Sequence, residues 1–315
     1  MADEPSWEIV PYRPEHRADF LALMREVYGG TGWSAEEFDW WFGQNPTGHF
    51  ILNLAVENGE TIGAAAQSYA RMVVGGQEGE STFTIHVMTG PAARGKGVFS
   101  KLQLHNDDLA AENGAHFAFG FTNPMAGPIF VGRLGWDELC WLRLWGRPKR
   151  PLRAARHLRA HGKPAGGVRG AVEEFGPRHE EIYRRAATSW AAHFVKSADY
   201  LNWRYRASPR PYASFSTDRG FAVVGWGVYR GVSAGLVCEL VGADGVRLLN
   251  RCVRAADADV VIAMPNPGEY ATYLAAGFVP MPAAIRFIGR GLQPDEPLPR
   301  GRDAFRFSLG DTDIF

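Results

Sequence analysis

The sequence predicts a mixed α/β fold made of two related halves. Three observations carry this. Strand-like and helix-like patterns follow one another in a definite order, part of that order recurs later in the chain, and a glycine-rich loop joins a strand to a helix in the first half.

The chain has 315 residues, enough for two domains of ordinary size. Apolar residues make up 46%, so a sizeable core can be buried. The 34 Lys and Arg balance the 34 Asp and Glu, which gives no overall field toward nucleic acid or membrane. Cys140, Cys238 and Cys252 are too scattered for a disulfide framework or a metal site. That usage fits a reducing cytoplasm. The start, MADEPSWEIV, carries acids where a secretory signal carries Lys or Arg. No run of eighteen apolar residues predicts a membrane helix.

The elements follow in order. Glu8 to Tyr12 reads as a strand, and His16 to Tyr28 as a helix with one apolar face. Ser34 with Glu37 forms a capping-box pattern that opens a helix through Trp40 and Trp41, ending before Pro46. Phe50 to Glu57 is a strand, Asn58-Gly59 a hairpin turn, and Thr61 to Val74 the returning strand. A third strand covers Ser81 to Thr89. A helix from Lys96 to Asn113, a strand from Ala115 to Phe121, a short helical stretch and a strand from Trp136 to Trp145 complete the first half. Residues 147–170, rich in Arg, Pro and Gly, read as a basic linker with room for a short helix at Leu152 to Ala160.

The second half shortens this pattern. Helices are expected at His179 to Phe194 and Tyr200 to Tyr205, then strands at Tyr212 to Ser216, Phe221 to Tyr229 and Ala234 to Val241. A helix from Val246 to Ala255 and a strand from Val260 to Met264 follow. Trp40, Phe42, Asn45 and Pro46 match Trp203, Tyr205, Ser208 and Pro209 at identical spacing. Asn123-Pro124 leading to Gly135-Trp136 matches Asn266-Pro267 leading to Gly277-Phe278. Two matched pairs in one order point to duplication of a fold. The expected division is 1–146, 147–170 and 171–315.

The segment Arg94-Gly95-Lys96-Gly97-Val98-Phe99-Ser100 joins a strand to a helix. Glycines there allow a sharp turn and close approach to a ligand. A helix start has N–H groups without intrahelical partners and a dipole that favours an anion. The loop therefore suits a diphosphate, with Arg94 and Lys96 adding positive charge. These residues, with Pro91 before them and Asn123 after, resemble the coenzyme A loop and following motif of the GNAT superfamily of acyl-CoA N-acyltransferases. The resemblance is close over residues 8–146 and loose over 171–290. Phe99 departs from it, because the family prefers Gly or Ala there. Such a side chain must point away from a diphosphate.

The resemblance implies a tandem two-domain N-acyltransferase that uses acetyl-CoA or another acyl-CoA, without a metal, to acylate a small-molecule amine. It implies that backbone groups of Val87, Met88 and Thr89 hold the pantetheine arm between splayed strands. Asn123 would hold the arm or orient the thioester, or form a turn before Pro124. The family's usual base positions fall on Phe83 and Ile85, which are apolar. His86 lies between them, on the opposite strand face unless a bulge turns it inward. The family's usual Tyr acid falls at Phe130 or Val131, whereas the second half has Tyr273. In tandem relatives such as N-myristoyltransferases the terminal carboxylate can act as base, which makes Phe315 a candidate.

The second half has no matching loop. Gly242-Ala243-Asp244-Gly245 puts an acid where phosphate would sit, so coenzyme A is expected in the first half alone. Trp33 and Tyr69 either line an acceptor cleft or pack in the core. Two rivals remain on sequence grounds: a Fem-like aminoacyltransferase using aminoacyl-tRNA, and an inactive acyl-CoA-binding scaffold.

Overall fold

Asn58 and Gly59 take left-handed backbone, with φ of 53° and 82°, and close a hairpin between two antiparallel strands that meet at Glu57↔Glu60. This is the geometry an Asn-Gly pair favours. The computed structural model describes residues 6–160, 164–293 and 298–313. The chain forms a mixed α/β fold with two compact units.

The first unit comprises the described residues of Met1–Met72, Glu78–Glu138 and Phe287–Leu298. Its elements are β1 (Glu8–Pro11), α1 (Arg17–Val27), α2 (Ala35–Phe38), β2 (Phe50–Glu57), β3 (Glu60–Val74), β4 (Gln77–Thr89), α3 (Val98–Glu112), β5 (Phe117–Thr122) and α4 (Gly127–Arg133). The strands lie in the order β1-β2-β3-β4-β5. The Ser34 capping box is formed: Glu37 N donates to Ser34 Oγ at 3.1 Å and Ser34 N to Glu37 Oε2 at 2.9 Å. A π turn, Asp39–Gly43, extends α2 and buries Trp40, Trp41 and Phe42.

Beneath α3 the core is polar, its donors gathered on a few acceptors, while the side-chain oxygens of Gln67 and Gln103 have no partner among the described residues. Asn53 Nδ2 donates to Asn106 Oδ1 at 2.8 Å. Buried Asp107 accepts from Gln67 and Gln103 Nε2 on one oxygen and from Trp136 Nε1 on the other. Burial raises the Asp107 pKa, against these donors and Arg290.

The second unit comprises the described residues of Val73–Gln77, Leu139–Arg286 and Pro299–Phe315. Its elements begin with β6 (Asp137–Pro148), α5 (Pro151–Ala160), β7 (Gly167–Val168), α6 (Pro177–Ala187), β8 (Ala192–Phe194) and α7 (Ala198–Leu201). Then follow β9 (Tyr212–Ser216), β10 (Gly220–Tyr229), β11 (Val232–Gly242), α8 (Gly245–Ala255), β12 (Ala256–Asp257), β13 (Val260–Ala263), α9 (Tyr270–Ala275), β14 (Val279–Gly291) and β15 (Phe305–Arg306). The main sheet of this unit runs β6-β13-β11-β10-β9.

The duplicated pattern is visible in the geometry. Ser197 caps α7 as Ser34 caps α2. A second π turn, Asn202–Arg206, carries Trp203 at the position Trp40 holds in the first. Phe130 packs on Trp136 at 4.8 Å between ring centroids, and Tyr273 on Phe278 at 5.5 Å.

Three local differences from the sequence expectations have physical causes. The helix expected over His179 to Phe194 ends at Ala187, because residues 192–194 form β8 and pair with β15. The described residues among 147–170 are folded into the second unit rather than forming a plain linker. Lys149 Nζ reaches the Val253 carbonyl at 2.8 Å near the end of α8, Arg150 pairs with Asp257, and Arg153 and His157 pair with Asp259. The unit boundary falls at Glu138 rather than at 146, and residues from Phe287 return to the first unit. There Phe287 meets Phe117, Phe119 and Phe121 of β5.

Candidate active site

β4 and β5 are parallel, with pairs Ser81↔Phe117, Thr82↔Ala118 and Phe83↔Phe119. The pairing stops there, although β4 continues to Thr89 and β5 to Thr122. The two strands therefore form a fork. Thr89 and Thr122, at its two tips, each bury a side-chain hydroxyl with no partner among the described residues. Unmatched buried hydroxyls call for a ligand or solvent partner.

At the mouth of the fork the loop of Gly90 to Gly97 leads into α3. Gly95 and Gly97 have φ of 85° and 76°, which an L side chain rarely adopts. A Cβ added at either would meet nothing within 4 Å. The loop is an open cradle under the first turn of α3, where the N–H groups of Val98, Phe99 and Ser100 lack intrahelical acceptors. Arg94 is exposed beside it. Lys96 is not a second free cation there: its Nζ lies 2.7 Å from Glu57 Oε2. The hydrogen bond from Lys96 and that from Ser6 hold the Glu57 carboxyl below its usual range.

Phe99 turns away from the cradle. Its ring packs edge-on against Phe130 at 5.4 Å, in a cluster with Leu134 and Trp136. Val87 packs in the same cluster and against Val98. Met88 is buried. Asn123 is exposed and serves the turn into α4, with its Oδ1 accepting from Met125 N and Ala126 N, each at 2.9 Å.

His86 has a left-handed backbone, φ 48°, near the C-terminal end of β4. This breaks the alternation of the strand. Its ring lies 4.3 Å from that of Trp33 and 6.5 Å from that of Phe20, on the face where Phe83 meets Trp41. Tyr28 Oη stands 3.4 Å from His86 Nδ1. The irregularity thus brings the imidazole onto the same face as the residue at a usual base position, three residues past the last β4–β5 pair. Trp33 walls this spot. Tyr69 does not: it is buried against His49 and its hydroxyl accepts from Asn113. Phe130 offers no hydroxyl and is consumed in packing. Phe315 lies outside the described residues. Tyr28 and Thr122 were not singled out by sequence. Thr122 adjoins Asn123, which is the one signal that points to it.

In the second unit the corresponding junction is only Ala243 and Asp244, between β11 and α8. Asp244 pairs with Arg219, and a Cβ on Gly245 would lie 2.6 Å from Thr272 Cγ2. No open cradle exists there.

Among the described residues no helix is long and apolar enough to cross a membrane, and no cluster of His, Cys, Asp or Glu is suited to a metal ion. The family model "Acetyltransferase (GNAT) domain" matches residues 8–139. No curated protein matches the chain. Among solved structures, a GCN5-related N-acetyltransferase from Anabaena variabilis aligns with a TM-score of 0.65 at 12% identity, covering 91% of this chain and 73% of that one. One from Kribbella flavida aligns at 0.61 and 18% identity, covering 91% and 72%. Saccharomyces cerevisiae N-myristoyltransferase with bound myristoyl-CoA aligns at 0.64 and 12% identity, covering 100% and 92%. At these identities the likeness is one of fold.

Proposed function

We propose that this chain, a GNAT acetyltransferase domain over residues 8–139 within a two-unit N-acyltransferase fold, transfers an acyl group from acetyl-CoA or another acyl-CoA to a small-molecule amine. The observation that carries this is the fork between β4 and β5, with unmatched Thr89 and Thr122 hydroxyls at its tips and an open glycine cradle at its mouth. The acyl-CoA supplies a thioester carbonyl. The chain supplies the rest. First-turn amides of α3 and Arg94 receive the diphosphate. The fork receives the pantetheine arm along β4 from Val87 to Thr89, with Asn123 beside its tip. His86 takes the proton released as the amine nitrogen attacks the carbonyl carbon. A β4 backbone N–H near Met88 faces the developing oxyanion. The C–S bond then breaks, the leaving thiolate takes up a proton from protonated His86 or from solvent, and amide and free thiol leave.

The test is release of free thiol from acetyl-CoA by the purified chain across a panel of small amines, with and without ribonuclease. Amine-dependent release that ribonuclease leaves unchanged is the expected result. No thiol release, with aminoacyl transfer from added aminoacyl-tRNA that ribonuclease abolishes, would support the aminoacyltransferase alternative. Binding without release for any amine would support the inactive scaffold.

A further inference from the structure

The second unit repeats the fork, and there it is filled. β11 and β13 pair in parallel at Ala234↔Val260, Gly235↔Val261 and Leu236↔Ile262, after which β11 continues to Gly242. Past the last pair, Cys238 is an extra residue: Val223 pairs with Glu239 but Val224 with Val237. Glu239 stands three residues beyond Leu236, as His86 stands three beyond Phe83. Asn266 and Tyr273 occupy the places of Asn123 and Phe130.

The segment Phe305–Asp311 runs through this place. Phe307 N donates to Asn266 Oδ1 at 3.0 Å, and Arg306 Nη2 to the Leu240 carbonyl at 3.2 Å. Gly310 passes so close to the bulge that a Cβ would overlap Tyr205 Oη and lie 2.9 Å from the Cys238 carbonyl oxygen. Arg204 Nε holds the Gly310 carbonyl at 3.0 Å. Lys196 ties the segment to the strand, 2.6 Å from Glu239 and 2.7 Å from Asp311. The small cavity left over is lined by Tyr183, Glu239, Asn266, Arg306 and Asp311.

We propose that residues 305–311, a two-residue strand leading to a 3-10 turn at Leu309–Asp311, are a built-in occupant of the second unit's fork, a segment of this chain seated where the first unit has an open slot. The chemistry of the fork favours a peptide over a nucleotide. Its acceptors, the Leu240 carbonyl and Asn266 Oδ1, receive a guanidinium and a backbone N–H respectively. The junction at Ala243 and Asp244 gives a diphosphate nothing to bind. The second unit is therefore closed to an outside ligand while the tail is seated, and tail release is the event that opens it. None of this depends on which donor the first unit binds.

Hydrogen exchange of the full-length chain, read by mass spectrometry, tests the proposal. Amides of Phe307–Thr312 are expected to exchange as slowly as those of Val237–Gly242. In Gly310→Leu, which cannot seat against Tyr205 and Cys238, both segments are expected to speed up together by about tenfold or more, with α3 unchanged. If that variant does not fold, Asn266→Ala removes the acceptor for Phe307 N and carries the same expectation. Exchange of the wild-type tail at the rate of unstructured chain would overturn the proposal. So would a faster tail with no change in Val237–Gly242.

Discussion

Replacing His86 by asparagine is expected to lower turnover by about a hundredfold or more while acyl-CoA affinity stays within about twofold. Asparagine is the informative choice because residue 86 sits at φ 48°, a conformation Asn tolerates better than most side chains. The bulge then survives and only the base is lost. Added free imidazole separates this from a packing effect: it can take the proton in place of the missing side chain, so it is expected to restore part of the turnover of the variant and to leave the wild type unchanged. Unchanged turnover would move the base to a water relay or to the carboxylate of Phe315.

The largest effect on stability is expected at Lys196. Its ammonium is buried between the Glu239 and Asp311 carboxylates. Burial lowers its pKa, but Asp311 and Glu239 outweigh burial and raise it. Lys196→Met keeps much of the volume and leaves two buried carboxylates without their cation, at a cost of about 3–5 kcal/mol. The pH dependence fixes the cause. Burial already raises the Glu239 pKa, and Lys196 pulls it back. Without the lysine, the native state binds a proton that the unfolded chain has released over the interval between the ordinary carboxylate pKa and the raised one. Stability of the variant therefore falls as pH rises through that interval and recovers as pH falls. Urea midpoints of both proteins at about pH 5 and about pH 8 should show the larger gap at the higher pH. An equal gap at both would mean lost packing and not uncompensated charge.

What the sequence made legible was local. The Asn58-Gly59 turn, the Ser34 capping box and the strand–loop–helix around Gly95 and Gly97 each depend on residues a few positions apart, and each is present. The tryptophan and Asn-Pro patterns recur in both halves, and the matched stretches fold alike, as π turns and as short helices after Asn-Pro. Pairing between distant segments was not legible. The aromatic row of β5 gives no hint that its partner is Phe287, because a β-strand pattern does not name its neighbour. The basic residues after Trp145 looked solvated because their partners, Asp257 and Asp259, lie about a hundred residues on. Strict strand alternation puts His86 on the opposite face, and only a bulge turns it inward. Nothing local marks its bulge, since no glycine stands there. Lys196, Glu239 and Asp311 come from three separate stretches, so only the folded chain brings them together.

Calorimetric titration of the full-length chain with acetyl-CoA tests the central claim most directly, paired with the same titration of Gly97→Glu. The substitution puts a carboxylate into the open cradle at a left-handed position, against the diphosphate. One acetyl-CoA per chain is expected, with affinity lost by about a hundredfold or more in the variant, since like charges set against each other in a binding site cost several kcal/mol. Two bound molecules per chain, or undiminished binding by Gly97→Glu, would contradict a single donor site in the first unit.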